Sequence, residues 1–364
     1  MSSAGQTAKR AFLRTAKAGG LFRRSMASTW RNERLLILCY HGISLEDEHL
    51  WNPGLYIDRA TFRARMQMLR DSRSNILPLD EALVRLERGT LPPRSVALTF
   101  DDGSHDMCAL AVPILREFQF PATVYLTTYY CRHQLPVFDT ICSYLIWKSR
   151  GKTLLLDGIL PEGGTIHLAG DAEWRNVFQR IWRHVRVEKM SAAAKDDLAE
   201  QLATRLGIDY AEIRRRRLLY IMNAEEASAI ARQGISLELH THRHMVPRNR
   251  DLFMREIRDN EAEICNITGG QTVPRHFCYP SGDYLPEFGG WLRELGVRSA
   301  ATCDAGLVSR ADDPMLIPRL LDAPSVSEVD MESWLAGFTP WLRWRTGHSA
   351  KMNNPYFVSD PRQL

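Results

Sequence analysis

Two neighbouring carboxylates, Asp101 and Asp102, and two histidines four residues apart, His240 and His244, are the residues of this sequence best suited to hydrolytic chemistry. The run His240-Thr241-His242-Arg243-His244 offers three imidazoles from one short segment, and a divalent metal needs ligands of equal reach converging in that way. His240 and His244 joined by one carboxylate make a two-His, one-Asp set with positions open to water and substrate, which is a catalytic rather than a structural arrangement. Such a metal lowers the pKa of water and polarises a carbonyl, while a second carboxylate takes the proton. On an extended chain adjacent side chains point to opposite faces, so Asp101 and Asp102 reach one site only if the chain turns. Gly103 permits the turn. Read alone, Asp-Asp-Gly is a solvated turn; the histidine cluster gives it another meaning. The leaving nitrogen of an amide also needs a proton, and His41 ends a neighbouring apolar run.

The elements that must position these groups follow from pattern. Residues 95–100 form a short apolar, β-branched run bounded by Pro92-Pro93 and Gly103, which predicts a buried strand with the carboxylates at its end. Residues 35–40, 121–127, 235–239, 275–279, 297–302 and 316–320 read as further strands. Residues 59–71, 79–88, 109–118, 224–233 and 252–267 show helical spacing of apolar positions. Alternating strands and helices imply a parallel sheet with covered faces. Four of the strands finish in polar chemistry: His41, Asp101-Asp102, the histidine cluster and Pro280-Ser281-Gly282. In a closed parallel barrel that shared end is where an active site is assembled. From 139 to 220 the pattern changes to longer amphipathic helices, with Trp174, Val177, Ile181, Trp182 and Val185 on one and Leu198, Leu202 and Leu206 on another. This is a helical insertion within the barrel.

With 364 residues and 45% apolar content the chain can bury a large core. Eight of its basic residues lie in 1–34 against the single acid Glu33, so the remainder is slightly acidic and is not a nucleic-acid binder by charge. Seven cysteines without framework spacing or a CxxC pair read as reduced thiols. No stretch is long and apolar enough to span a membrane and no secretory h-region is present, so a cytoplasmic location is expected. The basic segment 1–34, studded with Phe12, Leu13, Leu21, Phe22 and Met26 and interrupted at Gly19-Gly20, has three readings: a membrane-surface helix, a disordered arm or a transit-type peptide. In the tail 331–364, Trp334, Leu335, Phe338, Trp341 and Leu342 share a helical face beside Arg343 and Arg345. That face either meets anionic lipid at the inner side of a membrane or packs on the barrel.

Thr99-Phe100-Asp101-Asp102-Gly103 and His240-Thr241-x-x-His244 resemble the first two motifs of the NodB-homology polysaccharide deacetylases, carbohydrate esterase family 4. The similarity extends over about residues 35–320, including Tyr40-His41-Gly42 and Phe277-x-Tyr279-Pro280-x-Gly282. The resemblance implies a distorted (β/α) barrel of seven or eight parallel strands in residues 35–330. It also implies a metal-dependent hydrolase that removes the acetyl group from an N-acetylhexosamine unit of a polysaccharide or of a lipid- or nucleotide-linked precursor. By that resemblance Asp101 is the base, Asp102, His240 and His244 hold Zn²⁺ or another divalent ion such as Co²⁺ or Ni²⁺, and Thr241 braces the loop. Ser281 serves the oxyanion through its backbone N–H, with Tyr279 and Tyr40 beside the substrate. Three departures stand out. Cys278 occupies the position where the family usually has an arginine paired with the catalytic Asp. The late Leu-x-His acid motif is missing, a role that His41 fills in the branch resembling poly-N-acetylglucosamine deacetylases. The helical insertion is longer than in minimal members. An O-acetyl esterase or non-sugar amidase on the same centre, and an inactive sugar-binding protein, are the other readings.

Overall fold

The computed structural model describes residues 3–346. Seven parallel strands close into a ring: β1 (Leu36–Tyr40), β2 (Ser95–Phe100), β3 (Thr123–Leu126), β4 (Ser236–Leu239), β5 (His276–Cys278), β6 (Ser299–Ala305) and β7 (Ile317–Leu321). Strand β1 makes the closure, with Leu38 opposite Leu98 of β2 on one side and opposite Leu320 of β7 on the other. A two-residue strand, Asn75–Ile76, flanks β2 outside the ring. The architecture is the expected distorted (β/α) barrel.

Every residue of β1 and β2 is buried, because one face of each strand meets the barrel interior and the other meets helices; hence the unbroken apolar runs. Alternate positions separate into two cores. Leu36, Leu38, Val96, Leu98, Val124 and Phe277 pack beneath the helices, whereas Ile37, Ala97, Tyr125, Cys278, Ala301 and Ile317 face inward over the helix Leu79–Arg88. The outer helices Arg59–Asp71, Ala224–Arg232 and Arg250–Ile267 begin at Asp58, Asn223 and Asn249, whose side chains accept from the third backbone N–H beyond.

Between β3 and β4, the helices Phe138–Lys148, Asp171–Val187, Ala192–Leu206 and Tyr210–Arg216 pack around a core of their own. Ile141, Leu145, Val177, Ile181, Leu198 and Leu202 lie at its centre. An antiparallel hairpin, Thr153–Leu155 with Thr165–His167, completes the unit. Trp51 and Tyr56 from the loop after β1 join the same core, and the Trp51 indole donates to Ser143 at 3.2 Å. The insertion is thereby seated against the chain that follows His41.

The N-terminal segment is helical over Ser3–Ala18 and Leu21–Met26, broken at Gly20, which takes φ 75°. Its apolar face does not look outward: Leu13, Ala16 and Phe22 are buried against Val329 and Phe338 of the helices Glu328–Leu335 and Phe338–Thr346 and against Ala336 between them. The two amphipathic segments with a membrane reading therefore cover each other. Pro340 falls in the first turn of Phe338–Thr346, where its missing N–H costs nothing. Phe12 and Leu21 stay exposed. The side chains of Arg343 and Arg345, and residues 347–364, lie outside the described residues.

Candidate active site

The turn after β2 places both aspartates. The Asp101 N–H still donates to the Tyr40 carbonyl at 2.9 Å, so Asp101 keeps the inward direction of Ala97 and Thr99. Asp102 and Gly103 then adopt left-handed φ of 66° and 78°, which turns the Asp102 side chain over the barrel mouth. A Cβ on residue 103 would lie 2.4 Å from Leu126 Cδ1; glycine is required by the backbone angle and by space alike. The chain leaving the insertion returns along this turn, with the Met222 N–H donating to Gly103 O and the His105 N–H to Tyr220 O.

Asp102 Oδ1 lies 3.1 Å from His240 Nε2 and 3.2 Å from His244 Nε2. Ligand atoms from all three residues fall within 4.8 Å of one another. The ring of His240 is oriented by Nδ1, which lies 2.9 Å from the Cys278 carbonyl; a proton there leaves Nε2 with its lone pair toward Asp102. Asn260 accepts from the His240 N–H and donates to Leu126 O and Thr128 Oγ1, tying the end of β4 to β3. Thr241 is buried with φ 60°, and its Oγ1 accepts from the Met245 N–H at 3.0 Å, closing the loop that carries His244. Two imidazole nitrogens converging on one carboxylate oxygen suit a divalent cation, and this donor set fits the metal that the sequence implies.

Asp101 lies beneath that group. Arg319, from the interior face of β7, grips it with two parallel hydrogen bonds of 2.7 and 2.8 Å, and both side chains are almost wholly buried. Burial by itself would raise the Asp101 pKa; Arg319, with His41 and His240 behind it, outweighs that and holds the carboxyl well below the usual range. The Cys278 sulfur sits 3.1 Å from Arg319 Nη2 and 3.5 Å from Asp101 Oδ2, and burial pushes its thiol pKa well up, so the sulfur stays protonated. The arginine absent from position 278 is thus supplied from another strand. Sequence reading missed Arg319, although a lone charge within the apolar run Leu316-Ile317-Pro318-Arg319-Leu320-Leu321 signals a buried partner.

His41 Nε2 faces Asp101 Oδ2 at 3.6 Å, and its Nδ1 is buried without a hydrogen-bond partner. Burial lowers its pKa, and Asp101 and Asp102 offset this only in part. A cavity of about 40 Å³ opens beside it, lined by His41, Tyr56, Asp102, Tyr220 and Ile221 among others. Ser281 lies exposed at the loop after β5 with φ 56°. Tyr40 and Tyr279, expected beside the substrate, point elsewhere because the pleat sends them to the outer face. The Tyr40 hydroxyl donates to Asp322 at 3.1 Å and that of Tyr279 to the Met315 carbonyl at 3.1 Å. His242, between His240 and His244, turns away to Thr128 Oγ1 at 2.9 Å.

A family model described as polysaccharide deacetylase matches residues 88–158 and 175–300. Over 67 residues the chain is 34% identical to the poly-beta-1,6-N-acetyl-D-glucosamine N-deacetylase of Staphylococcus epidermidis, which covers 18% of this chain and 23% of that protein. With the enzyme of the same name from Staphylococcus aureus it shares 31% identity over 72 residues, 20% of this chain and 25% of the relative. The chain thus aligns with about a quarter of the length of these curated relatives. Among solved structures, the Streptococcus pyogenes deacetylase PplD in complex with acetate superposes with a TM-score of 0.54 at 17% identity, covering 82% of this chain and 96% of that one. IcaB from Ammonifex degensii gives 0.53 at 17% identity, with 84% and 98% covered. At that identity the structural likeness speaks to the fold. The family match spans more than half of the chain and takes in β2, β4, β5 and both carboxylate and histidine motifs, and on that footing the chain belongs to the polysaccharide deacetylase family.

Proposed function

We propose that the protein is a metal-dependent N-deacetylase that hydrolyses the acetamide of an N-acetylhexosamine unit in a glycan or glycan precursor. The observation that carries this reading is Asp101, clamped by Arg319 through two hydrogen bonds beside the Asp102, His240 and His244 group. Family membership and the names of the curated relatives support it. A divalent ion held by those three residues, with zinc the first candidate and cobalt or nickel as substitutes, would polarise the acetamide carbonyl and make water a better nucleophile.

The chain's own groups do the rest. Asp101 takes a proton from the attacking water, and Arg319 keeps it ionised and correctly turned for that work. The water oxygen bonds to the carbonyl carbon and the C–N bond breaks. His41 begins neutral, receives the proton from Asp101 and passes it to the leaving nitrogen; the proton left on the new carboxyl group then moves to the freed amine, so that acetate and the ammonium form of the amino sugar result. The small cavity beside His41 has room for an acetyl methyl or a water, and the Ser281 backbone N–H serves the developing oxyanion. Seven free thiols, with Cys39, Cys278 and Cys303 close enough to Asp101 and Arg319 to feel their charge, suit a reducing compartment and a precursor handled there. No described helix is long and apolar enough to cross a membrane.

The test is acetate release from N- and O-acetylated sugars with added Zn²⁺, Co²⁺ or Ni²⁺, read beside elemental analysis. Asp101→Asn should lose about 10²–10⁴-fold in kcat and keep its metal, whereas His240→Ala should lose the metal itself. Equal metal in His240→Ala and the native protein would overturn the ligand assignment. Release from O-acetyl sugars alone would replace the amidase reading with an esterase.

A further inference from the structure

We propose that Cys39, His41 and Asp101 form a second metal site inside the barrel, separate from the Asp102, His240 and His244 group, which takes a thiophilic divalent cation such as cadmium or excess zinc and inhibits the enzyme when filled. The site stands on its own geometry; the inhibition rests on the deacetylase reading above.

Strands β1 and β2 build it. Ile37 faces the barrel interior, and the two-residue repeat of the pleat gives Cys39 and His41 the same direction. On the neighbouring strand Ala97 is inward as well, Thr99 lies opposite Cys39, and Asp101 is the next inward position. A sulfur, an imidazole nitrogen and a carboxylate oxygen therefore converge from adjacent strands, their ligand atoms all within 4.8 Å of one another. Cys39 Sγ and His41 Nε2 each stand 3.6 Å from Asp101 Oδ2. Zinc bonds of about 2.3 Å to sulfur and 2.0–2.2 Å to nitrogen or oxygen set tetrahedral ligands about 3.3–3.7 Å apart, so the side chains need little movement to close on an ion.

Their present contacts are weak enough to yield. Arg319 takes one hydrogen bond on each Asp101 oxygen, whereas a carboxylate oxygen has two lone pairs; Oδ2 keeps one for an ion. His41 Nδ1 is buried without a partner, and the approach of Nε2 to Asp101 is too long for a hydrogen bond. Cys39 has long contacts, 3.6 Å to Asp101 Oδ2 and 3.8 Å to the Tyr40 carbonyl. Cys278 is the poorer sulfur donor, because its Sγ lies 3.1 Å from the Arg319 guanidinium. As the ion binds, the Cys39 proton leaves to water, and thiolate and carboxylate together match the two positive charges brought in beside Arg319. Sulfur sets this group apart from the barrel mouth, where Asp102, His240 and His244 offer only oxygen and nitrogen; the softer the ion, the more it favours the interior. Cys39 and Asp101 are each 2% exposed, and His41, which lines the cavity beside Asp102, gives the way in. An ion held there occupies both Asp101, which takes the proton of the attacking water, and His41, which passes it on.

The experiment titrates Cd²⁺ into the full chain preloaded with an equimolar amount of Zn²⁺ and follows the ultraviolet sulfur-to-cadmium charge-transfer band beside acetate release. In the native chain the band should grow and acetate release should fall over the same range of cadmium. Cys39→Ala and Asp101→Asn each remove a ligand, so each should weaken the binding read from the band by more than the roughly 10–100-fold that loss of an outer-shell partner costs; in Cys39→Ala the inhibition moves to higher cadmium by the same factor. Zinc retained in Cys39→Ala shows the fold and the mouth intact, and Asp101→Asn, which preserves the packing, gives a second reading of the band. Cys278→Ala should keep the band. No band in the native chain, a band that survives Cys39→Ala or Asp101→Asn, or a band lost in Cys278→Ala overturns the site. A band that fills while acetate release holds steady overturns the inhibition. Should no acetylated sugar release acetate even without cadmium, the deacetylase reading fails, and the band and its two variants decide the site separately.

Discussion

Asp101 and Arg319 stand 218 residues apart in the chain and meet through two short hydrogen bonds inside the barrel. A carboxylate so placed depends on its partner, because removing one member of a buried pair leaves an unpaired charge and costs about 3–5 kcal/mol. Arg319→Met should lower stability by that order in urea unfolding and cut kcat about 100-fold; Arg319→Lys keeps the charge without the two-pronged grip and should recover part of both. The pH dependence has a definite sign. The folded pKa of Asp101 lies below its unfolded value, so the pair stabilises the fold fully above the ordinary carboxylate pKa of about 4. That contribution is lost as pH falls toward the folded value. Without Arg319 burial becomes the leading influence on Asp101 and raises its pKa, so the acid limb of the kcat/KM profile should move to higher pH. An acid limb unmoved in Arg319→Met would mean that another group is the base.

At the scale of elements, the site depends on the turn that ends β2. Asp102 and Gly103 are both left-handed, and only that pair of angles lets adjacent residues deliver one carboxylate inward and the other over the mouth. Gly103→Ala would strain the backbone and press a methyl group onto Leu126. A loss of about 1–3 kcal/mol is expected from overpacking, and metal affinity should fall because Asp102 moves with the turn. Denaturant midpoint and metal titration check the two effects separately; native values for both would show that the turn relaxes freely. The end of β4 has its own support in Asn260, whose amide holds His240 to β3.

For the whole molecule, the two chain ends act as one cover. Leu13 and Phe22 of the N-terminal helices are buried on Val329 and Phe338, and burying a side chain of that size contributes about 1.5–3 kcal/mol. Deletion of residues 1–26 should therefore cost roughly 3–6 kcal/mol by that transfer scale, lower the melting temperature and expose an apolar face on the C-terminal helices. The truncated protein should sediment with anionic liposomes at physiological salt, while the full chain stays in the supernatant. Equal sedimentation of both would show that the covered face is not the membrane determinant. Full-chain binding lost on truncation would assign contact to the exposed Phe12 and Leu21 with Arg23 and Arg24.

What the sequence by itself determined is local. The apolar runs of β1 and β2 were legible because strands buried on both faces leave no polar alternation, and the carboxylates and histidines stood out as candidates because they follow predicted strands directly. That Asp102, His240 and His244 come together was legible from the histidine spacing, the resemblance and the rule that parallel strands finish their chemistry at one end. Tertiary structure alone decided the partner of Asp101, since the meeting of β7 with β1 exists only once the ring closes. It also decided which way Tyr40 and Tyr279 face: each lies one residue from an inward position, and the pleat reverses direction at every step. The apolar faces at the two chain ends were visible as helical stripes, but a stripe states only that something must cover it. That they cover each other is a matter of where the ring brings residues 13 and 338 together.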